Sequence, residues 1–211
     1  MPLLPITYLG NILYYAHLIS QPCIIDIHSH YIRQTYTNRT TIISSCGIQS
    51  LSIPVEYVEG KTPIADIRIS THNHWQQQHF RSLETAYRST PFYQYFRDEL
   101  ACFYSNKWDN LVDFDLGIQN FILEALGFDN ITYSLSDHYI TPQTSSINDY
   151  REVINPKKFD VSLYRYLLQP YYQVFSAKYG FTPNLSVVDL LFNMGNEARL
   201  YLLDISKQLN K

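Results

Sequence analysis

An α/β fold is predicted: a mainly parallel sheet core with an antiparallel hairpin extension, helices packed around it, and a helical C-terminal segment. Three observations predict it. The chain opens with a strand-like run, a capped helical run and a second β-branched run; two further strand-like runs flank Ser45-Cys46-Gly47; and long stretches of helical period fill the middle of the chain.

Residues 3–9 (LLPITYL) read as a short strand, and Asn11–Ile19 as a helix with Asn11 as its N-cap, stopped at Gln21-Pro22. Residues 23–29 (CIIDIHS) form the next strand, so the opening is a β-α-β unit, which implies a parallel pair. Thr40–Ser44 and Ile48–Val55 make the hairpin. Ile64–Ser70 (IADIRIS) alternates apolar and polar residues and predicts a half-buried strand. Trp75–Arg88 puts Trp75, His79, Leu83, Ala86 and Tyr87 on one helical stripe, with His72 or Asn73 as cap. Thr90-Pro91 ends that helix and starts the next, Phe92–Tyr104; Asn110–Leu126 follows, with Gly127 where a terminating glycine belongs. Ile131–Leu135 is a short strand. Residues 137–160, rich in Ser, Thr, Asp, Asn and Pro, predict a long surface excursion. A tyrosine-rich helix Val161–Leu168, a second over Pro170–Tyr179 and a third from Val187, capped by Ser186, complete the chain. The expected organisation is an α/β core with central helices over residues 1–136, and a loop and C-terminal helical segment over 137–211 that packs on the same domain.

Composition narrows the function classes. The 211 residues are 45% hydrophobic, enough for a sizeable core. The formal net charge of -3 and the absence of any lysine-rich run argue against a nucleic-acid or anionic-lipid partner. No stretch approaches the ~20 apolar residues of a membrane span, and Met1–Gly10 lacks the basic start of a signal peptide, so a cytoplasmic location is expected. The 3 cysteines, Cys23, Cys46 and Cys102, are widely spaced and suggest neither disulfides nor a structural zinc site. Tyrosines number 19 against 11 phenylalanines, and phenols suit sugar rings, nucleobases and protein interfaces alike.

Several groups can carry chemistry. Asp26, His28 and His30 alternate at the end of a predicted strand and so share one face, which suits either a metal or general acid-base work. A lone functional histidine at a polar strand end is the plainer reading, and no metal is assigned. His79 lies one turn after Trp75 near a helix start, where an anionic group is favoured; bordering the core is the alternative. Cys46 lacks a neighbouring base. No glycine-rich phosphate loop, nucleophile elbow or His-Glu-x-x-His is present, and no motif specifies a cofactor. Residues 31–42 (YIRQTYTNRTTI) hold Arg33 and Arg39 with no acid. Arg39 offers a fork for phosphate or carboxylate, Asn38 a carboxamide donor, and Tyr31 and Tyr36 stacking surfaces; an exposed lead-in to the hairpin is the alternative.

The order of motifs resembles the WbqC-like protein family. It comprises the YLG segment at 8–10, Asn38-Arg39 entering a hairpin, LSIPV at 51–55, IADIRIS at 64–70, HWQQQHFRSLETAYRSTPFY at 74–93 and FTPNLSVVDLLFNMG at 181–195. The resemblance implies a role among bacterial surface-polysaccharide (O-antigen) genes, acting on a nucleotide-activated sugar or aminosugar. An acyl or aminoacyl donor is implied for members suggested to acylate aminosugars. A non-catalytic sugar or nucleotide binder, or a scaffold of the same pathway, is the alternative. Positions carried over by the resemblance are Tyr31, Asn38, Arg39, Trp75, His79, Tyr87, Pro91, Asn184, Ser186, Asp189 and Asn193. With the residue reading, these give His79 and His28 as candidate catalytic residues. Tyr31, Asn38, Arg39, His72, Trp75, Asn184, Ser186 and Asp189 are the candidate substrate-binding residues. The chain departs from the family at His28 and His30, where many members carry acids and Gln. It departs again at TYSLSDHYITP (132–142), in place of a glycine-serine loop followed by tyrosine.

Overall fold

The opening β-α-β unit sets the frame. In the computed structural model, which describes residues 1–142, 147–158 and 160–210, β1 (Pro2–Pro5) leads through α1 (Ile12–Leu18) into β2 (Cys23–Asp26). The two strands pair in parallel, with Leu3 opposite Ile24. Asn11 caps α1, its side-chain oxygen accepting from the Tyr14 amide at 2.8 Å. Every residue of α1 is buried, as expected of a helix enclosed on all sides.

Two short strands complete the sheet. β5 (Tyr133–Leu135) pairs in parallel with β2, and β6 (Asn148–Asp149) with β1, giving the order β5-β2-β1-β6. The chain therefore leaves β1 towards β2 and β5 on one side, while β6 flanks β1 on the other. Such a divergence opens a crevice beyond the carboxyl ends of the strands.

The hairpin β3 (Arg39–Ser44) and β4 (Gly47–Ser52) forms its own two-stranded sheet, with Ser44 opposite Gly47 and the turn at Ser45-Cys46. The helices α2 (Trp75–Tyr87), α3 (Tyr93–Ser105) and α4 (Leu111–Ala125) follow; α2 buries the expected stripe of Trp75, His79, Leu83, Ala86 and Tyr87. Neither expected cap of α2 forms: His74 occupies the cap position at φ 47, after Asn73 at φ 69, with no side-chain cap bond.

Two predicted elements fold differently. The segment Ile64–Ser70 is not a strand but a 3-10 turn (Ile64–Asp66) followed by isolated bridges, Val55 with Ile69 and Arg68 with Asn110. Its backbone bonds are divided among Ile27 and Ser29, Pro54 and Glu56, and the lead-in to α4 (Leu111 N to Ile67 O and Ile69 N to Asp109 O), so no single neighbour carries a continuous ladder. The alternation reports burial of Ile67 and Ile69 without a neighbouring strand. The predicted helices over 161–179 shrink to a 3-10 turn (Val161–Tyr164) and α5 (Ser176–Tyr179). Between them Pro170 supplies no amide, and the Gln173 side chain bonds both the amide and carbonyl of Thr182, replacing a helical ladder with side-chain bonds. Residues 143–146 and 159 of the predicted surface excursion lie outside the described residues.

The C-terminal helices α6 (Val187–Met194) and α7 (Glu197–Leu209) pack against α1. Ser186 stands at the cap position of α6, but its hydroxyl donates to the Leu9 carbonyl at 2.9 Å, fastening the helix to the loop after β1. Among the described residues no helix is long and apolar enough to cross a membrane.

Candidate functional site in the crevice of the parallel sheet

The crevice is organised by the last residue of β2. Asp26 is 1% exposed, and its Oδ1 accepts from the amides of His28 at 3.0 Å and Ser29 at 3.1 Å and from the Ser136 hydroxyl at 3.3 Å. Its Oδ2 accepts from the Ser29 hydroxyl and from Arg151 Nη1, the latter at 2.8 Å. An aspartate that binds the amides two and three residues on turns the chain. The strand therefore stops at Asp26, and the expectation that Asp26, His28 and His30 share one strand face is overturned. Among the described residues, no group of three His, Cys, Asp or Glu side chains could hold a metal ion.

Arg151, just beyond β6, closes the network. Its Nε donates to Asp149 at 3.0 Å and 3.1 Å, Nη2 to Asp149 at 2.6 Å and to the Ile140 carbonyl at 2.8 Å, and Nη1 to Asp26 and to the Ser29 hydroxyl at 2.9 Å. All five guanidinium N–H groups are thus used inside the protein. Burial works to raise the Asp149 carboxyl, but hydrogen bonds from the Arg151 side chain and amide outweigh it and hold the group below the usual carboxylate range. Burial likewise disfavours the charged Arg151, and its bonds to Asp149 and Asp26 more than offset this. The Tyr139 ring lies over the guanidinium at 5.6 Å and stacks against His30, 6.0 Å between centroids at 12°. Together with Pro5, Tyr36 and Thr37 these side chains bound a cleft of about 210 Å³.

Apart from Pro5, the cleft-lining residues all fall within residues 18–158, the stretch that matches the model of the WbqC-like protein family. The chain belongs to that family. The match begins at the last residue of α1 and ends beyond Arg151, before the motif at 181–195. An uncharacterized protein of Mycobacterium tuberculosis (strain ATCC 25618 / H37Rv), Rv1507c, is 28% identical over 194 residues, covering 82% of this chain and 83% of its own. No solved structure matches the chain.

Of the groups singled out from sequence, Asp26, His30 and Tyr36 line the cleft of this WbqC-like protein, whereas none of the candidate catalytic and substrate-binding residues does. Tyr31 falls between the lining residues His30 and Ile32, and Asn38 directly follows Thr37; the Tyr31 amide donates to the Thr62 carbonyl, burial pushes its phenol up to about 12, and Asn38 Nδ2 donates to the Ile53 carbonyl. Arg39 lies further along, on the hairpin, where Nε donates to the Ser52 hydroxyl at 3.0 Å. Neither it nor Arg33 has an acidic partner among the described residues. His28 is half-buried beside the Asp26 turn, and His72 is exposed ahead of α2.

The others sit in the core. His79 accepts from the Tyr8 hydroxyl at 2.9 Å, and Tyr8 bonds Tyr104 at 2.7 Å; burial pushes the imidazole down to about 4, with the Ser52 carbonyl opposing, so it is neutral. Trp75 packs edge-on to it at 5.1 Å. Asn184, at φ 56, accepts from the Leu13 amide at 3.0 Å and, with Ser186, ties the lead-in of α6 to the β1–α1 region. Asp189 is fully buried and accepts from Tyr171 and Gln173; burial pushes its carboxyl up to about 6 against those bonds.

Sequence reasoning missed Arg151, Asp149, Ser29 and Tyr139. A local signal existed for one pair: Asp149 also accepts from the Arg151 amide at 3.0 Å, a turn written in residues 148–152 (NDYRE). The bond from Arg151 to Asp26 spans 125 residues, and no spacing rule reaches that far.

Proposed function

We propose that this chain is a cytoplasmic enzyme of bacterial cell-surface polysaccharide biosynthesis of the O-antigen type. It acts on a nucleotide-activated sugar or aminosugar by acyl or aminoacyl transfer. Membership of the WbqC-like family supports the pathway. The observation that carries the reading is the cleft at the carboxyl ends of β1, β2 and β6, with its aromatic side at Tyr139 and His30 and its rigid ionic wall at Arg151. Its volume suits a single sugar ring, and Tyr139 and Tyr36 offer flat faces of the kind that stack on sugars.

The charge balance orients the ligand. Three carboxylates line the cleft, Asp26, Asp149 and Glu152, against one guanidinium that has no donor left. A diphosphate gains nothing there, whereas a hydroxyl- or amine-bearing ring does. The sugar end therefore enters, and the phosphates stay outside, towards exposed Arg33 and the half-exposed Arg39. Tyr31 and Asn38 adjoin the lining residues of the segment that also carries Arg33 and Arg39.

The saturation of Arg151 also favours a second reading, a non-catalytic binder of the same ligands. Thermal stabilisation by a panel of nucleotide sugars tests both, using wild type, Arg39→Ala and Tyr139→Leu. A ligand at a hundred times its Kd stabilises the native state by about 2.7 kcal/mol, several degrees for a chain of this size. The expected result is a shift for one sugar that shrinks in both variants. A wild type indifferent to every nucleotide sugar rejects the reading, and a shift without turnover leaves the binder.

A further inference from the structure

We propose that His30 is the general base of the transfer, an inference that rests on the acyl-transfer reading above. The cleft is lined by few groups that could take a proton. Both oxygens of Asp26 are occupied by backbone amides, hydroxyls and Arg151, and both oxygens of Asp149 by Arg151, so protonating either breaks a buried ion pair. Glu152 is exposed and bonded to Lys158. A phenol holds its proton well above neutral pH, burial makes that of Tyr36 weaker still as an acid, and a guanidinium neither gives nor takes one. Imidazole is the side chain that exchanges a proton near neutral pH, and His30 is the histidine in this lining.

Its placement fits the role. His30 is exposed at the cleft, its backbone is pinned by a bridge to Pro63, and its ring is steadied against Tyr139, which itself rests on Arg151. Neither ring nitrogen makes a hydrogen bond to a described residue, in contrast to His79, whose Nδ1 is taken by Tyr8. The groups facing it are Tyr139, the Asp26 and Asp149 carboxylates that share the one Arg151 guanidinium, and Glu152 with its Lys158 partner. His28 and Tyr31 flank it along the chain.

The step balances with a thioester as donor. The lone pair of the sugar amine bonds to the acyl carbonyl carbon, and the carbon–sulfur bond breaks with its electron pair moving to sulfur. The proton shed by the attacking nitrogen passes to the His30 imidazole, which returns it to the departing thiolate. The products are an amide and a thiol, and the enzyme is restored.

The test compares wild type, His30→Gln and His30→Ala in acyl transfer from acetyl- and aminoacyl-thioesters to a panel of nucleotide-activated aminosugars, with thermal melts confirming that both variants fold. The expected result is a loss of kcat of roughly 10²–10⁴ with KM for the sugar changed by only a few-fold. The acid limb of the pH profile disappears, and added imidazole restores turnover to His30→Ala. A variant that keeps kcat within about threefold, or that loses only KM, overturns the assignment while leaving the acyl-transfer reading intact. A wild type that turns over no donor–acceptor pair overturns that reading, and His30 falls with it.

Discussion

Replacing Arg151 by Met should unfold the chain more readily than any change in the exposed residues around it. The side chain of Arg151 is 11% exposed and that of Asp26 1%, so the substitution leaves a carboxylate sealed from water with only amide and hydroxyl partners. Removing one partner of a buried ion pair costs about 3–5 kcal/mol. For a chain of this length each kcal/mol moves Tm by about 2–4 °C, so a fall of roughly 6–20 °C is expected. Urea denaturation followed by circular dichroism supplies the midpoint, and an unchanged slope would show that two-state behaviour survives. The double variant Asp26→Asn with Arg151→Met buries no unpaired charge at Asp26 and should recover a substantial part of the loss, giving a coupling energy above 1 kcal/mol. Arg151 also sets an acid limb through Asp149. Asp149 is held below the usual carboxylate range, so its contribution is complete at neutral pH and is lost as pH falls below about 4. Arg151→Met should flatten that limb. A single variant within about 1 kcal/mol of wild type, or a double variant that merely sums the singles, would refute the view that this network organises the cleft.

Three further outcomes follow from the interior. Asp189 holds its proton up to about 6 when folded, against 3.8 ordinarily, so its own contribution to stability is fullest below pH 4 and drops by roughly 3 kcal/mol as pH rises through 6; Asp189→Asn should remove that component of the slope in midpoints measured from pH 4 to 7. His79→Leu strips the Tyr8 hydroxyl of an acceptor at a cost of about 1–3 kcal/mol. It should also remove the loss that wild type suffers as pH falls from 6.5 towards 4, while the thermal response to a cleft ligand persists. Gly10→Ala would place a methyl 2.5 Å from Thr7 Oγ1 and 2.6 Å from the Tyr14 ring, and should cost about 1–3 kcal/mol by thermal melt.

How far the sequence could be read depends on how far apart the partners lie. The β1–α1–β2 unit, the hairpin and the helical stripe of α2 were legible because each is specified within one or two turns of chain: a cap at Asn11, a turn at Ser45-Cys46, buried residues at Trp75, His79 and Leu83. The segment Ile64–Ser70 misled because period-two burial is shared by strands and by extended loops pressed on a helix start. The site misled for a related reason. Histidines and an arginine beside tyrosines attract a functional reading wherever they stand, yet His79 satisfies a core phenol and Asp189 a buried Tyr–Gln pair. Arg151 drew no such reading in a polar stretch with no periodicity, although the sheet brings β6 beside β1 and so aims it at the end of β2.

The arginines of this chain differ in what they have left to give, and that difference makes a last prediction. Arg151 has spent every donor on Asp26, Asp149, Ser29 and the Ile140 carbonyl, while Arg33 and Arg39 meet no acid among the described residues. On the proposed reading the first shapes the wall around the sugar ring and the other two meet phosphates outside it. A cleft of about 210 Å³ has no room for the nucleoside as well, so the base lies beyond the enclosed part. Changing the sugar at constant nucleotide should therefore alter affinity more than changing uridine for thymidine at constant sugar. Calorimetric titration of the two series measures this, with Arg33→Ala and Arg39→Ala expected to weaken all members about equally, since an outer charge contributes to every diphosphate alike. If nucleotide identity dominates instead, the ligand enters base first, and the arginines hold the sugar end.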